Sequence, residues 1–239
     1  MLDLTLASVA ENLAFDEALL VEADGKPGPA FVRLWDAPEY AVVLGASCRL
    51  ADDVDLEACR ADGITILRRS SGGGTVVLGP GVLCVSVLLS EDAAPGLSRV
   101  DLAHNHVLER IAAAITGAGV PVDVLGRGDL VCGNRKCGGS AQRRQKSWFM
   151  VHCSILYDFA IERVARYLKM PRRQPDYREG RSHTEFLVNL CLSRQNLANA
   201  IRTTFSSGAT DFPVPSAQSA LVQSLLSEKF LNREWIERF

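Results

Sequence analysis

The sequence predicts an α+β fold: a mixed, largely antiparallel sheet flanked by helices. Strand-like runs come in neighbouring pairs joined by short turns, single amphipathic helices interrupt them, and no regular strand–helix–strand repeat occurs. With 239 residues, 47% apolar and 23% charged, the chain can bury a sizeable core and has no room for a third domain. It is expected to form one domain over residues 1–239, a core of about 8–205 with a C-terminal helical extension of about 206–239.

Residues Ala10 to Glu22 place Leu13, Ala14, Ala18, Leu19 and Val21 at helical spacing, and Asp24-Gly25 closes that first helix. Phe31–Trp35 and Tyr40–Leu44 read as two strands joined by the Asp36-Ala-Pro-Glu turn, and a hairpin is the simplest pairing. Asp53 to Arg60 reads as a short helix and Thr65–Leu67 as a brief strand. Thr75–Leu78 and Val82–Leu89, joined by Gly79-Pro80-Gly81, read as a second hairpin. Val107, Leu108, Ile111 and Ile115 repeat at helical spacing, with Asn105 as the expected N-cap and Gly117 near the end. Residues 121–157 return to strand-like runs broken by glycine. Helices are expected from Ile161 to Leu168, ended by Pro171, from Phe186 to Phe205, and from about Ser216 to Phe230.

The formal charge of −2 gives no net field to hold the chain on nucleic acid or anionic lipid. No run of about 18 apolar residues and no leader pattern is present. Seven cysteines without a Cys-x-x-Cys argue against a disulfide framework or a zinc ribbon and fit reduced thiols in a cytoplasm.

Two segments can carry chemistry. In Arg68-Arg69-Ser70-Ser71-Gly72-Gly73-Gly74, followed by Gly79-Pro80-Gly81, three glycines let a ligand approach the backbone, and the arginines can pair with a carboxylate or phosphate. A turn with two exposed arginines is the alternative. Residues 127–146 carry a local charge of +5, and Lys136 stands between Gly133-Asn134 and Gly138-Gly139, where its ammonium can meet developing negative charge, unless it is a solvated hairpin lysine.

Other patterns fail or stay open. Gly133-x4-Gly138-Gly139-Ser140 has Gly where a phosphate loop needs Lys, and Gly126-x-Gly128 lacks a third glycine. His104-x-His106 reads as a pair of exposed or capping histidines. His152 and Cys153, adjacent on a strand, face opposite sides and cannot form a dyad without a bulge. Tyr177 to His183 offers either anion-holding groups or a helix-start loop capped by Ser182.

Taken together, Asn12-Leu-Ala-Phe-Asp16, Arg68 to Val76, Asp129 seven residues before Lys136, Lys136-Cys-Gly-Gly-Ser-Ala-Gln142 and His152 opening a strand resemble the lipoate–protein ligase and octanoyltransferase family over roughly residues 8–205. The resemblance implies the catalytic fold shared with biotin ligases and class II aminoacyl-tRNA synthetases. It implies activation of lipoate or octanoate with ATP and Mg2+ as an acyl-adenylate, then transfer to a lysine of a lipoyl carrier domain, on 2-oxoacid dehydrogenase E2 subunits or the glycine cleavage H protein. Lys136 would be catalytic. Arg69, Ser71, Gly72, Gly73, Gly74, Gly79, Asp129, Gly139, Ser140, Ala141 and His152 would bind substrate and adenylate, Asp129 also the metal. The apolar strand after Gly81 would wall the fatty chain.

The sequence departs from the family at two places. Ligases carry Asn where this chain has Gly128, and transferases carry their nucleophilic cysteine in a stretch that here, Pro121 to Gly128, has none. The ligases' accessory domain finds no length here, so a separate accessory subunit is expected. The alternatives are an ATP-independent amidotransferase using Cys132, Cys137 or Cys153, and a non-catalytic acyl-binding subunit.

Overall fold

The computed structural model describes residues 1–90, 96–97, 99–205 and 212–239. A seven-stranded sheet has the order β1 (Leu2–Asp3), β2 (Phe31–Asp36), β6 (Val82–Ser90), β10 (Trp148–Leu156), β9 (Arg135–Arg144), β8 (Asp129–Cys132), β7 (Asp123–Leu125). Among the described residues only the β1–β2 pairing of this sheet is parallel. A second sheet of three strands has the order β4 (Thr65–Arg68), β3 (Ala41–Leu44), β5 (Val76–Leu78). The α+β expectation agrees with this architecture.

Both expected hairpins are replaced by crossings between sheets. β2 pairs with β6 while β3 pairs with β4 and β5, and β5 pairs with β3 while β6 pairs with β2 and β10. The turns at Asp36 to Glu39 and Gly79 to Gly81 are therefore corners. The reason is burial: all nine residues of β6 are buried, and a strand covered on both faces needs a partner at each edge, which a two-stranded hairpin does not supply.

Alternation along β6 and β10 splits the core in two. Val82, Cys84, Leu88, Trp148 and Met150 join one apolar cluster with α1 (Val9–Ala23), the small sheet and the C-terminal helices. Leu83, Val85, Val87, Phe149, Val151, Cys153 and Ile155 join a second cluster beneath α4 (Val100–Gly117) and α7 (Arg194–Phe205). Each such side chain contributes about 1.5–3 kcal/mol on burial.

The helices also differ locally from the sequence reading. α1 starts at a capping box in which Ser8 and Glu11 hydrogen-bond reciprocally, worth about 1 kcal/mol. Its buried Asp16 pairs with Arg33 at 2.6 Å and accepts from Trp35 Nε1 at 3.0 Å and Ser86 Oγ at 2.7 Å, while Asn12 also binds Arg33. The Asp53–Arg60 helix is two pieces, α2 (Leu50–Asp53) and α3 (Leu56–Ala61), parted where Val54 bridges to Leu168. α5 is Glu162–Tyr167. α4 begins at Val100, so Asn105 is interior rather than the cap. Phe186 to Phe205 is not one helix: α6 (His183–Phe186) ends, the chain runs extended while Val188 N donates to Lys136 O at 3.0 Å and Leu190 N to Leu156 O at 2.8 Å, and α7 follows. Ser182 does cap α6.

The C-terminal helix is shorter than expected. α8 (Ala220–Leu225), capped by Ser219, runs into a π-helical turn at Leu226–Phe230, and α9 (Arg233–Ile236) follows.

Candidate active site

The site lies on the face of β9 and β10 turned toward α1. On β10, His152 is central rather than at the strand's start, and it pairs with Ala141 of β9, so both project to this face. Two residues along, Gly139 faces the same way and is paired with Asp129 of β8.

A β-bulge delivers Lys136 to the site. Leu130 pairs with Gly138 but Val131 pairs with Lys136, leaving Cys137 as the extra residue. Without it, Lys136, three residues from Gly139, would project to the opposite face. With it, the Lys136 ammonium lies 2.6 Å from Asp129 Oδ1. Tyr177 OH donates to Asp129 Oδ2 at 2.7 Å, so both carboxylate oxygens are held. Burial and the Asp129 charge push the Tyr177 phenol well up, keeping it a donor. A Cβ on Gly139 would come within 3.0 Å of Lys136 Nζ, which is why the ammonium can lie across the strand there.

The glycine loop covers the neighbouring part of the same face. A Cβ on Gly73 would stand 3.6 Å from that of Ala141, and Ser71 Oγ lies 2.6 Å from His152 Nε2. Burial, with the Arg69 and His104 charges, pushes His152 down to about 3, so the ring is neutral near pH 7.

The two arginines do not face outward as anion holders. Arg68 Nη1 donates to the carbonyls of Gly45 and Cys48 at 2.9 and 2.7 Å, and its Nε to Ile236 O at 2.9 Å. Arg69 donates from all three nitrogens: to Ser71 Oγ at 3.0 Å, Val43 O at 3.3 Å, and Gly72 O and Gly74 O at 2.6 and 2.8 Å. Burial lowers Arg69 to about 10, still charged near pH 7. It folds the loop from beneath.

Several other expectations are corrected. Gly79 packs against the Tyr40 and Phe159 rings in the corner between sheets. Ser140 faces α4, where its hydroxyl donates to Gly128 O at 2.6 Å and lies 2.7 Å from His104 Nε2. Since that single hydroxyl proton goes to a carbonyl, His104 Nε2 must carry the other. The half-buried His104 is therefore neither exposed nor capping, and its pKa is lowered by burial.

Gly128 has φ +115°, and a Cβ there would meet Ser140 Oγ at 2.5 Å and the His104 ring at 2.8 Å. An Asn would not fit. The positive segment does not converge either: Arg135 donates to the carbonyls of Thr184 and Leu187, and Arg144 lies over Phe149.

The expected nucleophiles are poorly placed. Cys137 and Cys153 are buried in the cluster under α4, on the opposite face from Lys136, and burial pushes the Cys137 thiol up to about 12 and the Cys153 thiol further. Cys132 is half-buried against the same cluster.

Asp129 suits a divalent ion only as the single carboxylate of a phosphate-bound one, and both its oxygens are already engaged. Among the described residues no group of three or more His, Cys, Asp or Glu could hold a metal, and no helix is long and apolar enough to cross a membrane.

Beside this polar row a small crevice of about 10 Å³ lies between α1, the glycine loop and β10, lined by Asp16, Glu17, Arg69, Ser70, Ser71 and His152 together with the apolar Leu13, Met150 and Phe230. Its apolar wall comes from these residues rather than from β6, whose Ser86 on this side is covered by Asp16.

Residues 8–205 match the family model described as the lipoyl protein ligase A/B catalytic domain. Octanoyltransferase LipM of Clostridioides difficile is 25% identical over 189 residues, 71% of this chain and 69% of that protein. Lipoate-protein ligase LplJ of Bacillus subtilis is 23% identical over 237 residues, 94% of this chain and 69% of that protein. A Mycoplasma pneumoniae protein named "Probable lipoate-protein ligase A" is 26% identical, and there the match spans 67% of this chain and under half, 46%, of that protein. Among solved structures, a chain of the archaeal lipoylation system of Thermoplasma acidophilum, a bi-partite lipoate protein ligase and its E2 lipoyl domain, superposes with TM-score 0.84 at 20% identity, covering 99% of this chain and 94% of that one. A lipoate-protein ligase A bound with ATP gives TM-score 0.84 at 20% identity, covering 99% and 96%.

Proposed function

The chain belongs to the lipoyl protein ligase A/B catalytic domain family, and from that premise we propose that it activates lipoate or octanoate with ATP and passes the acyl group to a lysine of a lipoyl carrier domain. The carriers are the lipoyl domains of 2-oxoacid dehydrogenase E2 subunits or the glycine cleavage H protein. Residues 1–239 act as a catalytic unit in the cytoplasm.

The observation that carries this reading is the Lys136 ammonium, anchored at 2.6 Å by Asp129. An ammonium has three donors. One is engaged by Asp129, leaving two for a substrate carboxylate oxygen and an α-phosphate oxygen. In the first step the carboxylate attacks the α-phosphorus and pyrophosphate leaves; in the second the carrier amine attacks the acyl carbon, an amide forms, AMP leaves and the amine gives up a proton. Negative charge grows at the bridging oxygens in both steps, and a preorganised ammonium stabilises it there. Asp129 and Tyr177 fix the ammonium, and the glycine loop brings backbone close to the adenylate.

The match to an octanoyltransferase favours a second reading, cysteine-dependent transfer without ATP. Against it stand the buried Cys137 and Cys153 on the far face. Exchange of labelled pyrophosphate into ATP, assayed with and without lipoate or octanoate and with any accessory chain, separates the two. We expect acid-dependent exchange that survives Cys132→Ser, Cys137→Ser and Cys153→Ser. Silence in that assay, with octanoyl transfer from an acyl carrier lost in one of those variants, would establish the transferase. Silence in both with acyl-adenylate still bound would make the chain a non-catalytic subunit.

A further inference from the structure

Residues 229–239 lie outside the stretch that matches the family model, yet they are bonded to the frame of the glycine loop. Trp235 Nε1 donates at 2.9 Å to the carbonyl of Arg68, at the loop's root, and Arg68 Nε donates in return to Ile236 O at 2.9 Å. The Arg68 guanidinium also holds the carbonyls of Gly45 and Cys48, and Arg238 Nη2 donates to that of Ala46 at 2.6 Å. The 45–48 turn in its turn carries the loop. Ala46 N donates to Ser71 O at 2.9 Å, the Cys48 thiol donates to Gly73 O at 3.4 Å, and a Cβ on Gly45 would stand 2.0 Å from that same oxygen. The Trp235 ring is held by two cations, the Arg238 guanidinium at 3.6 Å and the Lys229 ammonium at 4.6 Å from its centre. Lys229 also pairs with Glu17 of α1 at 2.5 Å.

We propose that Trp235 and Arg238 are positioning residues that hold the glycine loop in its working shape. The proposal rests on the ligase reading above, in which that loop brings backbone close to the adenylate. Three successive glycines have little conformational preference of their own, and Gly72 and Gly74 have open space where a Cβ would sit, so the loop takes its shape from what it is bonded to. Arg69 braces it from beneath. The C-terminal segment braces it from behind, through Arg68 and the 45–48 turn. Arg68 is fully buried, and a buried guanidinium must keep its carbonyl acceptors, one of which, Ile236 O, comes from this segment.

The test is amide hydrogen exchange of the full chain without ligand, followed by lipoate-dependent pyrophosphate exchange as assayed above. Trp235→Phe keeps a ring for the two cations and removes the indole donor. In it the amides of Ala46 and Arg69, which donate to Ser71 O and Leu44 O, should exchange at least about tenfold faster, with those of β10 unchanged. Its kcat should fall about tenfold while the unfolding midpoint stays close to wild type. Arg238→Met should lower kcat about threefold, and Arg238→Lys, which keeps a donor for Ala46 O, should recover most of that loss. Unchanged amide exchange at Ala46 and Arg69 in both Trp235→Phe and Arg238→Met, or an acceleration that β10 shares equally, overturns this proposal alone. A wild-type kcat in a variant whose loop frame does exchange faster also overturns it, because the anchor would then serve stability only. No pyrophosphate exchange by the wild type overturns the ligase reading and the positioning role together.

Discussion

Two basic segments look alike in the sequence, Arg68-Arg69 ahead of three glycines and the run around Lys136, but the fold uses them oppositely. Arg69 is buried and gives donors from all three nitrogens to its own loop and to Val43. Lys136 keeps a side chain 27% exposed, pairs with one carboxylate and has donors to spare. A cation saturated by backbone carbonyls shapes a site, and one with free donors acts in it. The guanidinium's fixed fork suits the first task and the compact, swivelling ammonium the second.

The largest expected effect that separates the two is Arg69→Met. It leaves the carbonyls of Gly72 and Gly74 and the Ser71 hydroxyl without their donor and should cost on the order of 3 kcal/mol of unfolding free energy. Denaturant titration measures it. A variant as stable as wild type but inactive would mean that Arg69 meets the substrate after all.

Tyr177→Phe should have a smaller and purely functional effect. Asp129 Oδ2 loses its phenol donor and the ammonium its fixed position, so kcat for exchange should fall about tenfold, equivalent to ~1.4 kcal/mol, with stability nearly unchanged. An unaltered kcat would show that Lys136 is positioned without help from the 175–188 segment.

The third effect appears only when the pH is lowered. His152 titrates near 6.5 in an unfolded chain but is pushed down to about 3 in the fold. Below pH 6.5 the unfolded state takes up the proton that the folded state refuses, so stability from this group is complete above pH 6.5 and falls with pH toward 3, by up to about 1.4 kcal/mol per unit. His152→Gln, compared with wild type at pH 7 and pH 5, should narrow the loss. An equal loss in both proteins would mean that the imidazole is not held neutral.

The same contrast explains what was legible in the sequence. Local signals read well: Asp24-Gly25 closes α1, Ser182 caps α6, and the strict alternation that separates His152 from Cys153 holds on β10. Partners fixed by burial did not. β3 and β5 are apolar throughout and β6 is broken only by Ser86 and Ser90, and such runs carry no mark of which sheet they join.

The missed site residues share this cause. His104 meets Ser140 across 36 residues and Tyr177 meets Asp129 across 48, so neither pairing leaves a spacing to find. Arg69 could be recognised as basic and glycine-flanked, but whether its donors turn inward depends on Val43, a strand away. Lys136 was recognisable from its glycines. That it reaches the Asp129 face depends on a single bulged residue, Cys137, whose packing under α4 no local pattern announces.

The claim on which the rest depends is that Lys136 acts chemically. Lys136→Met retains the length and packing of the side chain and removes only its charge and donors. Lipoate-dependent pyrophosphate exchange and thermal unfolding should be measured on one preparation of this variant. The expected result is a fall in exchange of about 10²–10³-fold with an unfolding midpoint close to wild type. Exchange within a few fold of wild type, or a collapse of the unfolding midpoint that accounts for the loss, would contradict it.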